Sequence, residues 1–293
     1  MNRYLIFRTD RIGDFLVSAI LLKCIKQNDP SAHITLIASE KNYFYIKTFP
    51  YVDQVFKLDN NFKSKLKIFS NLIKLNFKNI IIHDNKKISK LISFFLKSSN
   101  KINISNTDKN SHIEIIKDIL KKMNFNFYDE CLNTLEHIKQ NKTERQNLIQ
   151  LHFDEKWIFN DYIKKFINIE PSEKNLISFI KELNGKNNKK LVITTGFVLP
   201  GIMKKILPII KELKIEIFEN LNFSQLEKIT CKSCILISCH GAISHVAAAN
   251  NVRQIDIIDR SYNYSKWTNH FRNYNFVYRE NFNSLARKIL KIL

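Results

Sequence analysis

The chain has 293 residues, with 47 Lys and Arg against 27 Asp and Glu, a net charge of +20 and 44% hydrophobic content. That is enough to build one large or two medium domains around real cores. No apolar run approaches the about 20 residues of a membrane-spanning helix, and Leu91–Leu96, among the longest, falls far short.

At the start of the chain, Tyr4–Phe7 reads as a buried first strand. The stretch Arg8-Thr9-Asp10-Arg11-Ile12-Gly13-Asp14 follows as a basic, glycine-containing turn. After it, Phe15, Leu16, Ala19, Ile20, Leu22 and Ile25 fall at helical spacing, so Asp14 stands at the start of the first helix. In an open α/β sheet such a turn lies at the carboxyl end of the strands, where ligands bind. A carboxylate there is either a helix cap or a catalytic base. Arg3 is followed at once by the strand and the polar turn, without a signal-peptide pattern, so a cytosolic protein is expected.

Residues 33–38 form the next strand and Val52–Phe56 a third candidate. A basic helix follows over 62–76, a strand at Asn79–His83, a helix over 86–97, a short strand at Ile102–Ile104 and a helix over 112–123. Residues 57–101 hold eleven lysines against Asp59 and Asp84. Such a face attracts nucleic acid, anionic lipid headgroups or phosphorylated glycans, or else serves as solvated surface. The polar stretch 125–147 lacks a period and reads as the junction between a domain at 1–140 and one at 141–293.

The second half restarts the alternation. Strands are expected at 148–152, 191–196, 215–218, 234–238 and 254–258. Helices are expected near 157–167, 172–184, 200–213, 223–230, 242–250 and 281–293. Alternation of this kind predicts parallel, doubly wound sheets in an α/β fold. Asp154-Glu155-Lys156-Trp157 follows the first of these strands. Lys156 there is an ordinary surface lysine or a cation that neutralises a diphosphate leaving group. Thr194-Thr195-Gly196 suits a tight turn whose hydroxyls and N–H groups contact phosphate or sugar. In Ser238-Cys239-His240-Gly241-Ala242-Ile243-Ser244-His245, Gly241 makes the turn, and the N–H groups at the start of the next helix can hold phosphate. His245, one turn in, faces a ligand or the core. Cys231-Lys-Ser-Cys234 has no second pair to complete a zinc site and reads as two small residues beside a buried strand.

Three segments together resemble glycosyltransferase family 9, the heptosyltransferases of lipopolysaccharide core synthesis. These are Arg8-x-Asp-x-Ile-Gly-Asp14 with the later Lys26-x-x-x-Pro30-x-Ala32-x-Ile34, then Lys156-Trp157, then His240-Gly-Ala-Ile-Ser-His245. The resemblance implies the GT-B fold, two Rossmann-like domains facing a central cleft. The first would bind the acceptor and the second the nucleotide sugar, with the terminal helix packing back on the first domain. It implies an inverting transferase without metal or other cofactor, whose donor is a nucleotide-diphosphate sugar, with heptose and ADP the implied sugar and nucleotide.

In that reading Asp14 is the base, while Lys156 and the helix start after Gly241 stabilise the departing diphosphate. Thr194, Thr195, Gly196, His240, Gly241, Ala242 and His245 form the donor site, and Arg8 and Arg11 meet the acceptor. The acceptor would be an anionic, lipid-linked oligosaccharide of the lipopolysaccharide core, reached from the cytoplasmic face of the inner membrane by peripheral contact. The sequence departs from the family in three places. His240 stands where the family has Asp, the glycine of that turn comes one place early, and no acidic residue follows Thr195-Gly196. Two other readings stand beside this one: a basic nucleic-acid-binding α/β protein, and a family member that has lost its chemistry.

Overall fold

The computed structural model describes residues 1–59, 61–104, 111–135, 147–158 and 163–293, with the backbone alone at 62 and 187. Two compact units emerge. The first is Met1–His137 with Ser265–His270, and the second is Ile138–Tyr264 with Phe271–Leu293. The junction expected at 140/141 lies outside the described residues.

The first unit alternates β1 (Asn2–Arg8), α1 (Ile12–Asn28), β2 (Ala32–Ser39), α2 (Tyr43–Lys47), β3 (Gln54–Leu58), α3 (Phe62–Leu72), β4 (Asn76–Ile82), α4 (Lys87–Phe94), β5 (Lys97–Asn103) and α5 (His112–Lys122). Its sheet is parallel in the order β3-β2-β1-β4-β5. Every residue of α1 from Phe15 to Ile25 is buried, the signature of a helix enclosed on all sides. Lys23 lies within that stretch because its ammonium donates to the carbonyls of Glu130 and Asn133, at 2.8 and 2.9 Å. The expected helix over 62–76 stops at Leu72, and β4 begins three residues ahead of its expected start. β5 is likewise longer than its apolar core suggests.

The second unit contains β6 (Leu148–His152), α6 (Glu173–Leu183), β7 (Lys190–Thr194), α7 (Gly201–Glu212), β8 (Glu216–Phe218), α8 (Phe223–Lys232), β9 (Ile235–Cys239), α9 (Ala242–Ala249) and β10 (Arg253–Ile258). After the short α10 (Ser265–Thr268), which belongs with the first unit, come β11 (Tyr274–Tyr278) and α11 (Phe282–Ile292). The sheet order is β11-β10-β9-β6-β7-β8, again parallel. Within the second unit, α11 packs on α6 and β11. Phe282, Leu285, Ala286 and Ile289 recur on one face of α11 and join the second core. The helix expected over 157–167 does not form in its described part. Trp157 is instead drawn into the core, where its indole donates to the His152 carbonyl at 2.8 Å, and 163–166 is a turn closed by Phe166 N–H on the Ile163 carbonyl.

In each sheet the chain reverses its direction of travel beside the first strand. The reversal falls between β1 and β4 in one unit and between β6 and β9 in the other. Crevices at the carboxyl ends of those strands are where open α/β sheets take ligands.

Candidate functional site

In the first unit, a cavity of about 620 Å³ opens at the carboxyl ends of β1, β2 and β4, and its lining includes Thr9, Asp10, Arg11, Asp14, Ser39 and Lys86. Asp14 sits in the first turn of α1, where Oδ2 accepts the Arg11 N–H at 3.0 Å. It therefore caps the helix while also lining the cavity. Arg8 does not line it. Its buried guanidinium donates to the carbonyls of Asp14 (3.0 Å) and His83 (2.6 Å) and pairs with Asp10 and Asp14 at 3.3 and 3.7 Å. The residue expected to meet an acceptor thus lies beneath the floor and holds two carboxylates in place.

From the β4 side, Lys86 donates to the Thr9 carbonyl at 2.6 Å and pairs with Asp10 at 3.0 Å. Asp84 accepts from the hydroxyls of Thr9 and Ser89. His83 shares a 2.9 Å hydrogen bond with Ser18 of α1. Burial, then the nearby Arg8 charge, hold the His83 imidazole well below its ordinary value, so it is neutral. The charges lining the cavity balance, with Arg11, Lys41, Lys65 and Lys86 against Asp10, Asp14, Glu40 and Asp59. Such a surface suits a polyhydroxylated ligand through hydrogen bonds rather than a strong anion through charge alone.

The second unit carries a smaller cavity of about 160 Å³ over β6, β7 and α9. Lys156, Thr195, Gly196 and Ala242 all line it. Lys156 Nζ pairs with Asp154 Oδ2 at 2.7 Å. Burial disfavours the Lys156 charge, but Asp154 more than offsets it and raises the ammonium above its ordinary range. Burial likewise opposes the Asp154 carboxylate, and Lys156 and His152 more than offset this and lower it. Both charges are therefore fixed at neutral pH.

The ammonium rests against Gly241. A Cβ there would lie 2.6 Å from Lys156 Nζ. Gly241 is extended, with φ −179°, so it is present for this close approach and not for backbone freedom. A fixed cation thus sits at the first turn of an eight-residue helix, whose N–H groups carry partial positive charge. Two sources of positive potential converge on one point, and Phe197, Leu221 and Phe223 add an apolar shelf on the same lining. Arg279, at the end of β11, anchors the lysine by donating from Nη2 to the Lys156 carbonyl at 2.9 Å.

Thr194 does not reach this cavity. It is fully buried, and its hydroxyl meets Gln150 Nε2 at 2.9 Å and His152 Nδ1 at 3.0 Å. Burial lowers His152 to about 4 from the ordinary 6.5, against the Asp154 charge beside it. His240 is held by a 2.6 Å hydrogen bond from Nδ1 to buried Asp256, which also accepts from Ser244 (2.9 Å) and Tyr274 (3.2 Å). His245 is 6% exposed and meets Phe271 edge to face at 5.3 Å. Neither His240 nor His245 is on the cavity lining. Cys231 and Cys234 are free thiols. Among the described residues, no group of three His, Cys, Asp or Glu side chains is arranged to hold a metal.

The sequence reading gave no role to Asp154, Gln150, Asp256 or Arg279, which act on the expected residues from the same turn, from neighbouring strands or from just past a strand end. The strand register could have revealed one of them, because Asp256 lies opposite Ser238 in β9, two residues before His240.

Solved structures match the chain over its whole length. The E. coli heptosyltransferase WaaC with ADP superposes at a TM-score of 0.73 and 11% identity, covering 99% of each chain. The glycosyl transferase family 9 protein of Veillonella parvula does so at 0.67 and 11%, over 100% of this chain and 90% of that one. The UDP-GlcNAc 2-epimerase of Methanocaldococcus jannaschii does so at 0.55 and 11%, over 100% and 92%. The chain has the GT-B fold. At this identity the likeness extends to the fold alone. No protein-family model and no curated protein matches the sequence.

Proposed function

We propose that this protein is an inverting glycosyltransferase that moves a sugar from a nucleotide-diphosphate donor to a glycan acceptor. The observation that carries the reading is the Lys156 ammonium, fixed by Asp154 and seated against Gly241 at the start of α9. A diphosphate bound there meets a permanent cation and a row of N–H donors, and both strengthen as negative charge develops on the leaving oxygen. Thr195 and Gly196 lie on the same lining, where the Thr195 hydroxyl oxygen can accept from a ribose hydroxyl, and exposed Phe197 offers its ring to a base.

Asp14 is the base of this reaction. Its carboxylate takes the proton of an acceptor hydroxyl as that oxygen attacks the anomeric carbon. The bond from that carbon to the donor's diphosphate oxygen breaks, and the electron pair leaves with the nucleoside diphosphate, so the configuration inverts. Arg8 holds Asp14 through its ion pair, and Arg11 lines the acceptor cavity. Heptose and ADP are the proposed donor components, supported by the sequence resemblance and by the likeness to a solved heptosyltransferase holding ADP. The proposed acceptor is a lipopolysaccharide-core or related anionic glycan carried on a lipid, and the reaction uses no metal.

Isothermal titration with ADP-, GDP-, UDP- and CDP-sugars tests the donor site, and Asp14→Asn tests the base. An amide oxygen still caps α1, so the variant folds. It should bind the donor within about twofold of wild type and lose about 10²–10⁴ in transfer rate. Binding of none of these nucleotides, or wild-type transfer by Asp14→Asn, refutes the reading.

A further inference from the structure

The basic region of the first unit carries a second feature, an apolar stripe on each of two adjacent helices. On α3, Leu66, Phe69 and Ile73 recur at i, i+3 and i+7, so they share one face. On α4 and its cap, Leu91, Phe94 and Phe95 share a face at i, i+3 and i+4. The two stripes meet where the Phe69 and Phe95 rings pack edge to face at 6.1 Å, with Phe94 against Phe95 at 5.2 Å. Phe69 packs against the core from one side, and the other five stand exposed at its edge. Phe94 is 73% exposed, Leu91 56% and Phe95 55%. Scattered single apolar residues are ordinary on a protein surface, but a joined aromatic and aliphatic patch marks a docking surface.

The surrounding charge has one sign. Residues 61–104 hold ten lysines, and Asp84 is the single acid. Asp84 is already engaged with Thr9 and Ser89. Lys65 and Lys86 line the cavity, and Lys78 pairs with Asp29. Of the remaining seven, Lys63, Lys67 and Lys74 lie on or just past α3, and Lys87, Lys90 and Lys97 lie on or just past α4. The seventh, Lys101, donates to the Phe94 carbonyl at 3.0 Å. The acceptor cavity has balanced charge, so this excess belongs to the patch.

We propose that the α3–α4 face, with Leu91, Phe94 and Phe95 as its apolar tips and the lysines as its rim, docks on an anionic phospholipid surface. Apolar side chains enter the boundary between headgroups and acyl chains, while lysines on their long stems pair with lipid phosphates. A second copy of this chain would bring two lysine rims together and repel, so charge complementarity selects the lipid. The proposal adds to the reading above the surface by which the protein would approach a lipid-carried acceptor. Its observations are independent of the chemistry at Asp14 and Lys156.

The test is co-sedimentation of the full chain with phosphatidylcholine vesicles, with and without phosphatidylglycerol. Wild type should bind the phosphatidylglycerol vesicles alone and dissociate as salt is raised. Phe94→Ser should weaken binding about tenfold. Lys87→Ala with Lys90→Ala should weaken it about 25-fold, near fivefold per lysine. These positions are exposed, so melting temperature and nucleotide affinity should stay at wild-type values. Absence of vesicle binding overturns the proposal, as does equal binding to neutral vesicles. A Phe94-dependent dimer in sedimentation equilibrium, or Lys87- and Lys90-dependent duplex binding in place of lipid binding, also overturns it. Vesicle binding without any sugar-nucleotide binding would instead remove the transferase reading and leave this one standing.

Discussion

Gly241→Ala separates the lysine's position from the stability of the fold. The new Cβ would lie 2.6 Å from Lys156 Nζ and 3.5 Å from its Cε, whereas ordinary contact begins at 3.4 Å. The ammonium must therefore retreat by about 0.8 Å. The backbone is extended and accepts alanine without strain, and the displaced group is the end of a flexible side chain. Stability should change by less than about 1 kcal/mol, or roughly 2–4 °C in Tm. Binding should change more. Moving a unit charge from about 4 to about 4.8 Å from a phosphate oxygen, at an effective dielectric near 20, weakens the attraction by about 0.7 kcal/mol. Against the roughly two charges of a diphosphate this is about 1.4 kcal/mol, or about tenfold in Kd. Calorimetric titration of the folded variant with a nucleoside diphosphate reads this directly. An affinity within twofold of wild type would refute the placement of the diphosphate at Lys156 and α9. Lys156→Met is the less informative variant, because it strands the buried Asp154 carboxylate and should destabilise the fold by about 3–5 kcal/mol.

Trp157→Phe leaves the His152 carbonyl without its 2.8 Å donor and opens space beside Phe153. It should cost about 2 kcal/mol in urea unfolding, and a loss below about 0.5 kcal/mol would contradict the packing described. Stability should fall with acid between pH 6.5 and 4. Burial lowers His152 to about 4 and does the same to His112 and His270. The unfolded chain therefore binds more protons in that window, and the stability present above pH 6.5 is lost as pH drops through it. Buried His152 alone accounts for roughly 3 kcal/mol, and a melting temperature flat from pH 7 to 4.5 would count against neutral buried imidazoles. Asp84→Ala removes the acceptor shared by Thr9 and Ser89. It should cost about 1–2 kcal/mol and raise amide exchange at Thr9–Arg11 more than in β6. Uniform exchange across both units would refute the local role.

Elements that bury both faces were legible in the sequence. β1, α1, β9 and α9 follow from unbroken apolar or small-residue runs beside a glycine turn. Edge strands were not legible. β5 contains Ile102 as its one buried side chain, and its remaining residues are held by backbone pairing to β4. β11, Tyr-Asn-Phe-Val-Tyr, buries Val277 alone and extends the sheet only through its register with β10. Missing β11 also hid Arg279, which stands just past its end. The segment after Lys156 has helical composition, but the indole bond of Trp157 ties it to β6. At the sites, chain-local signals singled out Asp14, Lys156 and Gly241, each of which the structure places next to a turn. They did not show that Thr194 and Arg8 are turned inward, where partners on or just past another strand hold them: His152 and Gln150 for one, His83 for the other. Sequence spacing does not encode which strand lies alongside, and that adjacency decides whether a polar side chain faces a ligand or a neighbour.

The first unit is written in two places along the chain, at 1–137 and again at 265–270. The second passage brings Trp267 onto the His112 ring, with centroids 3.7 Å apart. A gene cut after codon 137 therefore yields a half-protein lacking an indole that covers its fifth helix. A chimera that exchanges halves with a relative at one crossover seats a foreign hexapeptide on a native His112. Recombination between such proteins is thus filtered by six residues far from the breakpoint, and successful shuffling of the two halves requires that Ser265–His270 travel with the amino-terminal half.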